Sequence, residues 1–503
     1  MTDHAARPTR HHRRPSGRRR RTALGVLAGL LLIALIADTG LARNRTDTAR
    51  RAERTSGVAL PFDLPSPDVL RKSPHLVFAH YFPPYPLSLD NQPAQHDYYA
   101  RNYLTPQGEQ GKHASYGGLL RDRPLPVPPS SGNWQLANLE REVRTARDAG
   151  LDGFTVDILS LTGANRHRVE LLLRAAHRVD PGFRIVLMPD MTSLHTDPHT
   201  LADQLAELAA SPSAHRLADG RLVVSPFKAE EHSPAWWSQV IARLRDHGIA
   251  TALVPVFLNF RANAERFAPI SHAFSSWGNR SYTRQDDVPG NIRLAHLLGK
   301  KWMQAVSVQD ARPDQGVYDE AGNTATLRST WNHAISDGAD WVQLTTWNDY
   351  SEGTQFAPSL HNGHTYLDIS SHYLTRFKTG AWPQIVRDTV YVTSRVQFTD
   401  SGGASLQRRL MRPRPGTAPP SDQVELLTFL TAPATVSARV GTARYIYRAP
   451  IGVHAQDIPL SPGRTEAVVR RAGDTVAAVM TRFPVRRTVT VQDLQYYAVS
   501  SGR

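Results

Sequence analysis

The chain has 503 residues, no cysteine and a net charge of +14, which excludes disulfides, thiolate metal sites and cysteine nucleophiles and leaves room for two or three domains. Residues 1–54 hold thirteen Arg against four acids and so carry +9 of that charge, leaving +5 on the rest. No basic stripe with interleaved aromatics lies on the remaining chain, which argues against a nucleic-acid partner and makes the excess a targeting signal.

Arg18 to Arg21 precede an apolar run from Ala23 to Ala37, which Asp38 interrupts. A basic segment followed by an apolar one marks export, and extension to Ala42 gives about the 20 residues that a bilayer needs. Residues 1–42 therefore read as a basic n-region with a signal peptide or signal anchor. That places the body outside the cell or at its surface, touching the membrane through this segment alone. Residues 43–72, polar and Pro-bearing, read as a linker.

From 73 to 382, apolar strand-like runs alternate with helical periodicity. Strands are predicted at 76–82, 153–159, 184–188, 222–227, 251–258, 272–276, 301–306 and 341–346. Helices are predicted at 134–149, 168–179, 201–210, 236–247, 291–298, 327–336 and 366–377, with a long surface loop at 83–132. Eight strands alternating with helices is the α/β pattern of a (β/α)8 TIM barrel. From 383 to 503 the texture changes. Short runs at 388–397, 423–430, 435–440, 442–447, 465–470, 475–480 and 487–491, joined by Gly, Pro and Ser turns, predict an antiparallel β-sandwich. Such a domain serves either to cover the barrel or to bind carbohydrate.

Barrel active sites gather where the strands end. The first strand ends in His80-Tyr81-Phe82, the second in Asp157, the third in Asp190 and the sixth in Trp277. The fourth runs into Phe227-Lys228 with Glu230 and Glu231 beyond, and the fifth into Asn259. The eighth delivers Trp347, Asn348, Asp349, Tyr350 and Glu352 within six positions. Polar groups on nearly every rim position imply a polar ligand, since burying them without partners is costly. Carboxylates can give and take protons at a glycosidic bond, and aromatic faces stack on sugar rings. The competing reading is that Asp349 caps a helical turn and Glu352 is its capping-box partner. His195 and His199 are separated by Pro198, and His361 and His364 flank an Asn-Gly turn, so neither pair reads as a metal site.

The segment Trp347-Asn348-Asp349-Tyr350-Ser351-Glu352 resembles the T-W-N-D-Y-G-E signature of glycoside hydrolase family 71, the α-1,3-glucanases or mutanases. Phe78 to Tyr81, Pro189 to Met191, Val223 to Phe227, Trp302 to Ser307 and Leu427 to Ala434 resemble other parts of such proteins. Two features depart from the pattern: Ser351 stands where the family has Gly, and Glu352-Gly353-Thr354 is similar to the motif of family 99 endo-α-mannosidases. The resemblance implies a (β/α)8 barrel acting on an α-glucan, with Asp349 and Glu352 as the catalytic carboxylates and no metal or organic cofactor. We read Glu352 as general acid and Asp349 as general base, although which carboxyl has the raised pKa is not legible in the sequence. His80, Asp157 and Asp190 are the expected contacts to sugar hydroxyls, Trp277, Trp347 and Tyr350 are expected to stack, and Tyr81 and Asn348 complete the expected substrate-binding set. Family 71 implies inversion, and family 99 implies retention assisted by the sugar's own 2-hydroxyl. Asp349 is one carbon shorter than the Glu of the family 99 motif and leaves room for an attacking water, which favours inversion. A surface lectin would keep the aromatics but could dispense with the carboxylate pair, which is intact here.

Overall fold

Strands and helices alternate from residue 76 to residue 379 in the computed structural model, which describes residues 60–503 apart from Gly403. The strands are β1 (Leu76–Tyr81), β2 (Gly153–Ile158), β3 (Arg184–Pro189), β4 (Leu222–Val224), β5 in two pieces (Thr251–Leu253 and Val256–Phe257), β6 (Ala273–Ser276), β7 (Lys301–Val306) and β8 (Trp341–Leu344). The helices between and after them are α1 (Trp134–Asp148), α2 (Gly163–Val179), α3 (Pro198–Ala209), α4 (Pro234–Asp246), the single turn α5 (Ala264–Phe267), α6 (Val288–Leu297), α7 (Ala325–Ser336) and α8 (Thr365–Thr379).

All neighbouring strands run parallel, and β1 lies between β2 and β8. Pro255 has no N–H to donate and splits β5, yet the stretch serves both sides. Val254 and Val256 donate to Val224 O and Pro226 O at 2.8 and 2.9 Å, while Leu253 O and Pro255 O accept from His272 and Ser275 at 2.8 and 3.0 Å. The sheet thus curls round in the manner of a (β/α)8, TIM-like fold. Side-chain parity separates two cores. Phe78, Met188, Val223, Met303 and Trp341 fill the lumen, whereas Val77, Tyr81, Phe154, Leu187 and Leu222 face the helices.

Helices α3 and α4 begin three and two residues before their predicted starts, because their first turns are fixed by caps rather than by apolar periodicity. Asp197 accepts from the His199 and Thr200 amides, and Ser233 accepts from the Trp236 amide, each with proline at the first helical position.

Besides the short strands Gln397–Gly402, Arg412–Pro413 and Arg486–Thr488, the C-terminal strands are β9 (Thr389–Ser394), β10 (Gln423–Leu430), β11 (Ala434–Val440), β12 (Ala443–Ala449), β13 (Gly452–Pro459), β14 (Thr465–Arg471), β15 (Asp474–Met480) and β16 (Tyr497–Ser500). Strands β9 to β16 form two antiparallel four-stranded sheets, ordered β13-β10-β9-β16 and β12-β11-β14-β15. Val392, Leu426, Val436 and Val469 belong to one apolar cluster between the sheets, the arrangement of a sandwich. The opposite face of the first sheet carries Tyr391, Leu427 and Phe429 into the core of the barrel.

Three sequence expectations change. The last part of the expected linker, residues 60–72, is built into the body: Phe62 and Leu70 are buried in its core. The stretch 83–132 is not a plain surface loop, because Tyr85, Tyr99 and Leu120 form a buried cluster. The run 388–397 is divided at Arg395, and the strands Gly452–Pro459 and Tyr497–Ser500 were not foreseen. The apolar run 23–37 lies outside the described residues, and among those described no helix is long and apolar enough to cross a membrane.

Candidate active site

At the end of β1, His80 shares the inward parity of Phe78. Its Nε2 lies 3.6 Å from Asp157 Oδ2 at the end of β2, and its Nδ1 lies 3.1 Å from Met188 Sδ. The edge of the imidazole meets Trp277 at 5.0 Å between ring centroids, inclined by 83°. Asp157 is buried, and that burial pushes its carboxyl up to about 6; the charges of Asp190 and Asp349 add to the effect while His80 opposes it. Asp190 follows β3 and accepts from the Thr192 amide and hydroxyl at 2.7 and 2.6 Å. Most of its hydrogen-bonding capacity holds its own turn.

Beyond β8 the chain folds back on itself, with a cis peptide between Thr345 and Thr346. The Thr346 amide donates to Thr354 O at 3.0 Å, and the Asp349 amide donates to Thr346 Oγ1 at 2.8 Å. Asp349 Oδ1 accepts from the Ser351 amide (3.0 Å), the Ser351 hydroxyl (2.6 Å) and the Glu352 amide (3.3 Å). The capping role is therefore real, but it occupies one oxygen and leaves Oδ2 outside the turn's hydrogen bonds. Glu352 keeps 20% of its side chain exposed and pairs through Oε1 with Arg312 Nη1 at 2.6 Å. Burial raises the carboxyls of both Asp349 and Glu352; Ser351 and Arg312 oppose it at Asp349, and the charge of Asp349 pushes Glu352 further up against the pull of Arg312. Two carboxyls raised in this way favour a state in which one keeps its proton while the other ionises.

Arg312 also binds the buried Asp310 through Nε and Nη2, at 2.8 and 2.6 Å. Arg280 lies over the Trp277 ring at 5.3 Å and donates to Ser307 Oγ at 2.8 Å. Its Nε and Nη2 are buried and have no partner among the described residues. Trp277, Arg280, Asp310 and Arg312 border a cavity of about 200 Å³ at the rim. None of these three charged residues was foreseen. The available signal was Asp310-Ala-Arg312 just past β7, the one strand end for which no rim candidate was named.

Of the expected site residues, His80, Asp157, Asp190, Trp277, Asp349 and Glu352 come together at this rim. Tyr81 and Trp347 do not: each is 1% exposed on the helix-facing side, where Tyr81 Oη donates to Glu142 Oε2 at 2.9 Å and Trp347 Nε1 to Glu142 Oε1 at 3.4 Å. With no open ring face they cannot stack on a sugar, and parity is the reason for Tyr81, since it follows the inward His80. Tyr350 is buried among Tyr85, Tyr99 and Leu120 and is likewise closed to stacking. Asn348 ties β8 to the 83–132 stretch, accepting from the Phe82 amide at 2.7 Å and donating to Tyr85 O at 2.9 Å. Glu230 caps the Leu258 and Asn259 amides, and Glu231 pairs with Lys228. Among the described residues, neither histidine pair belongs to a group able to hold a metal ion.

Residues 129–501 match the sequence pattern of the family described as Glycosyl hydrolase family 71. The chain belongs to that family. The family 71 match covers the C-terminal sheets as well as the barrel from just before α1. This family 71 glycoside hydrolase is 24% identical over 378 residues to the glucan endo-1,3-alpha-glucosidase agn1 of Schizosaccharomyces pombe, a match spanning 69% of this chain and 86% of that protein. A mutanase of Penicillium rubens is 22% identical over 68% of this chain and 80% of its own length. The ascus wall endo-1,3-alpha-glucanase of Schizosaccharomyces pombe is 19% identical over 67% and 84% respectively. Among solved structures, the GH99 endo-alpha-mannosidase of Bacteroides thetaiotaomicron is similar with a TM-score of 0.48 and 15% identity, over 60% of this chain and 97% of that one.

Proposed function

We propose that this family 71 enzyme is an exported glycoside hydrolase that cleaves α-1,3-glucan with inversion, using Asp349 as base and Glu352 as acid. The observation that carries the reading is the turn after β8, which presents both carboxyls at the barrel rim beside the His80–Asp157 pair. The names of the relatives supply the substrate class. Asp349 Oδ2 takes a proton from water as the water oxygen attacks the anomeric carbon. The glycosidic C–O bond breaks, and its oxygen takes a proton from Glu352. Inversion needs the two carboxyls about 6.5–9.5 Å apart, with the water between one of them and the sugar. His80 and Asp157 are placed to hold sugar hydroxyls, and Trp277 to offer a ring. Export rests on the sequence of residues 18–42, and the barrel is taken to hand over to the accessory domain near residue 382.

Reducing-end release from α-1,3-glucan, compared with α-1,4-glucan and α-mannan, tests the substrate. Proton NMR in the first minutes of hydrolysis tests the stereochemistry: β-anomer appearing first supports inversion, and α-anomer appearing first sinks it in favour of retention.

A further inference from the structure

Away from the catalytic turn, a cavity of about 460 Å³ lies between the 104–121 stretch and the C-terminal domain. That is within the range of about 300–1,000 Å³ typical of small-molecule sites. Three rings form one wall. His361 stacks on Tyr497 at 3.9 Å and 19°, and Phe483 meets both edge-on at 5.2 Å. Phe483 and Tyr497 are only partly buried, and both line the cavity.

The polar groups divide by whether their hydrogen bonds are already spent. Arg121 is buried, but Nε donates to Gln492 O at 2.8 Å, Nη1 to Gly118 O at 3.0 Å and Nη2 to Tyr116 O at 2.5 Å. Asp493 accepts from Tyr497 Oη at 2.7 Å and from the Gln495 amide at 3.0 Å. These two charges hold the walls and are not available to grip an ion. Gln397 differs. It is 1% exposed, its Oε1 accepts from the Asp493 amide at 2.8 Å, and its Nε2 has no partner among the described residues. A buried amide left without a partner costs free energy that an incoming acceptor recovers. The exposed Arg486 also borders the cavity, and rings beside an unspent neutral donor suit a hydroxyl-bearing ring.

We propose that this cavity is a second glycan-binding site, taking a pyranose unit of the polysaccharide that the active site cleaves. The proposal rests on the glycan-cleaving reading above. It also gives the C-terminal domain a role at the barrel rim. Residues 493–497 lean on the catalytic turn, where a Cβ added to Gly353 would meet Gln495 Nε2 at 2.4 Å. Leu120 both lines the cavity and packs in the cluster that holds Tyr350.

Phe483→Ala in the full-length protein tests the site with two readouts. One is activity on insoluble α-1,3-glucan divided by activity on a short soluble α-1,3-oligosaccharide. The other is retention by the insoluble glucan in an Asp349→Asn background. Both are expected to fall about tenfold, the loss of roughly one ring contact, and Phe483→Tyr should restore them. Equal falls on both substrates, or unchanged retention, overturn the site. If the parent neither cuts nor holds α-1,3-glucan, the substrate reading fails by itself, and retention is measured on α-1,4-glucan and α-mannan. A Phe483-dependent loss on whichever glycan the parent holds supports the cavity as a glycan site, while retention of none overturns it.

Discussion

On the proposed mechanism Asp349 has two tasks that one carboxylate can share, because they fall on different oxygens. Oδ1 fastens the turn through Ser351 and Glu352, and Oδ2 stays outside it. Asp349→Asn keeps an acceptor for the turn and removes the base, so kcat should fall by at least about 10²-fold with thermal stability nearly unchanged. Glu352→Gln should do the same to turnover by removing the acid. Turnover near wild type in either variant would refute the assignment. Asp157 offers a separate check through pH. Burial raises its carboxyl from 3.8 to about 6, so the folded state holds the proton more tightly than the unfolded chain. The contribution is complete below about pH 4 and is lost as pH rises through about 6, a swing of about 2–3 kcal/mol. Asp157→Asn should flatten the fall in wild-type stability across that window, as read by urea unfolding from pH 4 to 8. Parallel pH curves for the two proteins would show that the burial carries no such penalty.

Between elements, Glu142 is the hinge point that the sequence concealed. It sits on the inner face of α1 and receives both Tyr81 Oη from β1 and Trp347 Nε1 from the turn after β8. Burial pushes its carboxyl up to about 8, with the two donors opposing. Glu142→Gln keeps an oxygen for Trp347, and its amide can donate to the Tyr81 hydroxyl. The variant should therefore gain stability over wild type as pH rises from about 4.5 to 8, because it is spared the ionisation of a buried acid. Thermal melts at pH 5 and pH 8 check this, and a gap that shrinks with pH counts against it. The same triangle shows what the sequence could and could not reveal. Periodicity located every barrel strand, since β strands and amphipathic helices write their burial into residue order. The end of the eighth strand that it marked leads straight into the turn carrying Asp349 and Glu352. Which neighbours turn inward was legible from parity along β1, where His80 and Tyr81 must face opposite ways. Trp347 and Tyr350, beyond the strand, follow no such rule and are placed by the turn. The Arg312–Glu352 pair joins the short strand Asp310–Arg312 to the turn after β8 with no sequence periodicity between them, and only the folded chain brings it together.

Over the whole molecule, the apolar core ignores the boundary expected near residue 382. Phe429 on β10 packs against Phe62 at 6.2 Å and against His372 on α8 at 5.1 Å. Residues 60–63 pair with the connector to the C-terminal domain: Asp63 donates to Gln384 O at 3.0 Å, and Val386 donates to Pro61 O at 2.8 Å. Residues 60–72 thus clasp barrel and C-terminal domain together, and Leu60–Arg503 holds as one unit. A chain beginning at Leu60 should unfold in urea in one transition with the full-length midpoint, and should cleave substrate as the full chain does. A chain beginning at His75 lacks Phe62 and Leu70, both fully packed, and large buried side chains are worth about 2–5 kcal/mol each when removed. Its midpoint should drop, or the transition should divide as the C-terminal sheets melt apart from the barrel. Phe429→Ala should move the full-length midpoint in the same direction, by the loss of the ring that the clasp closes on. If the His75 chain and the Leu60 chain unfold at the same urea concentration, residues 60–72 are a linker after all and the clasp contributes nothing.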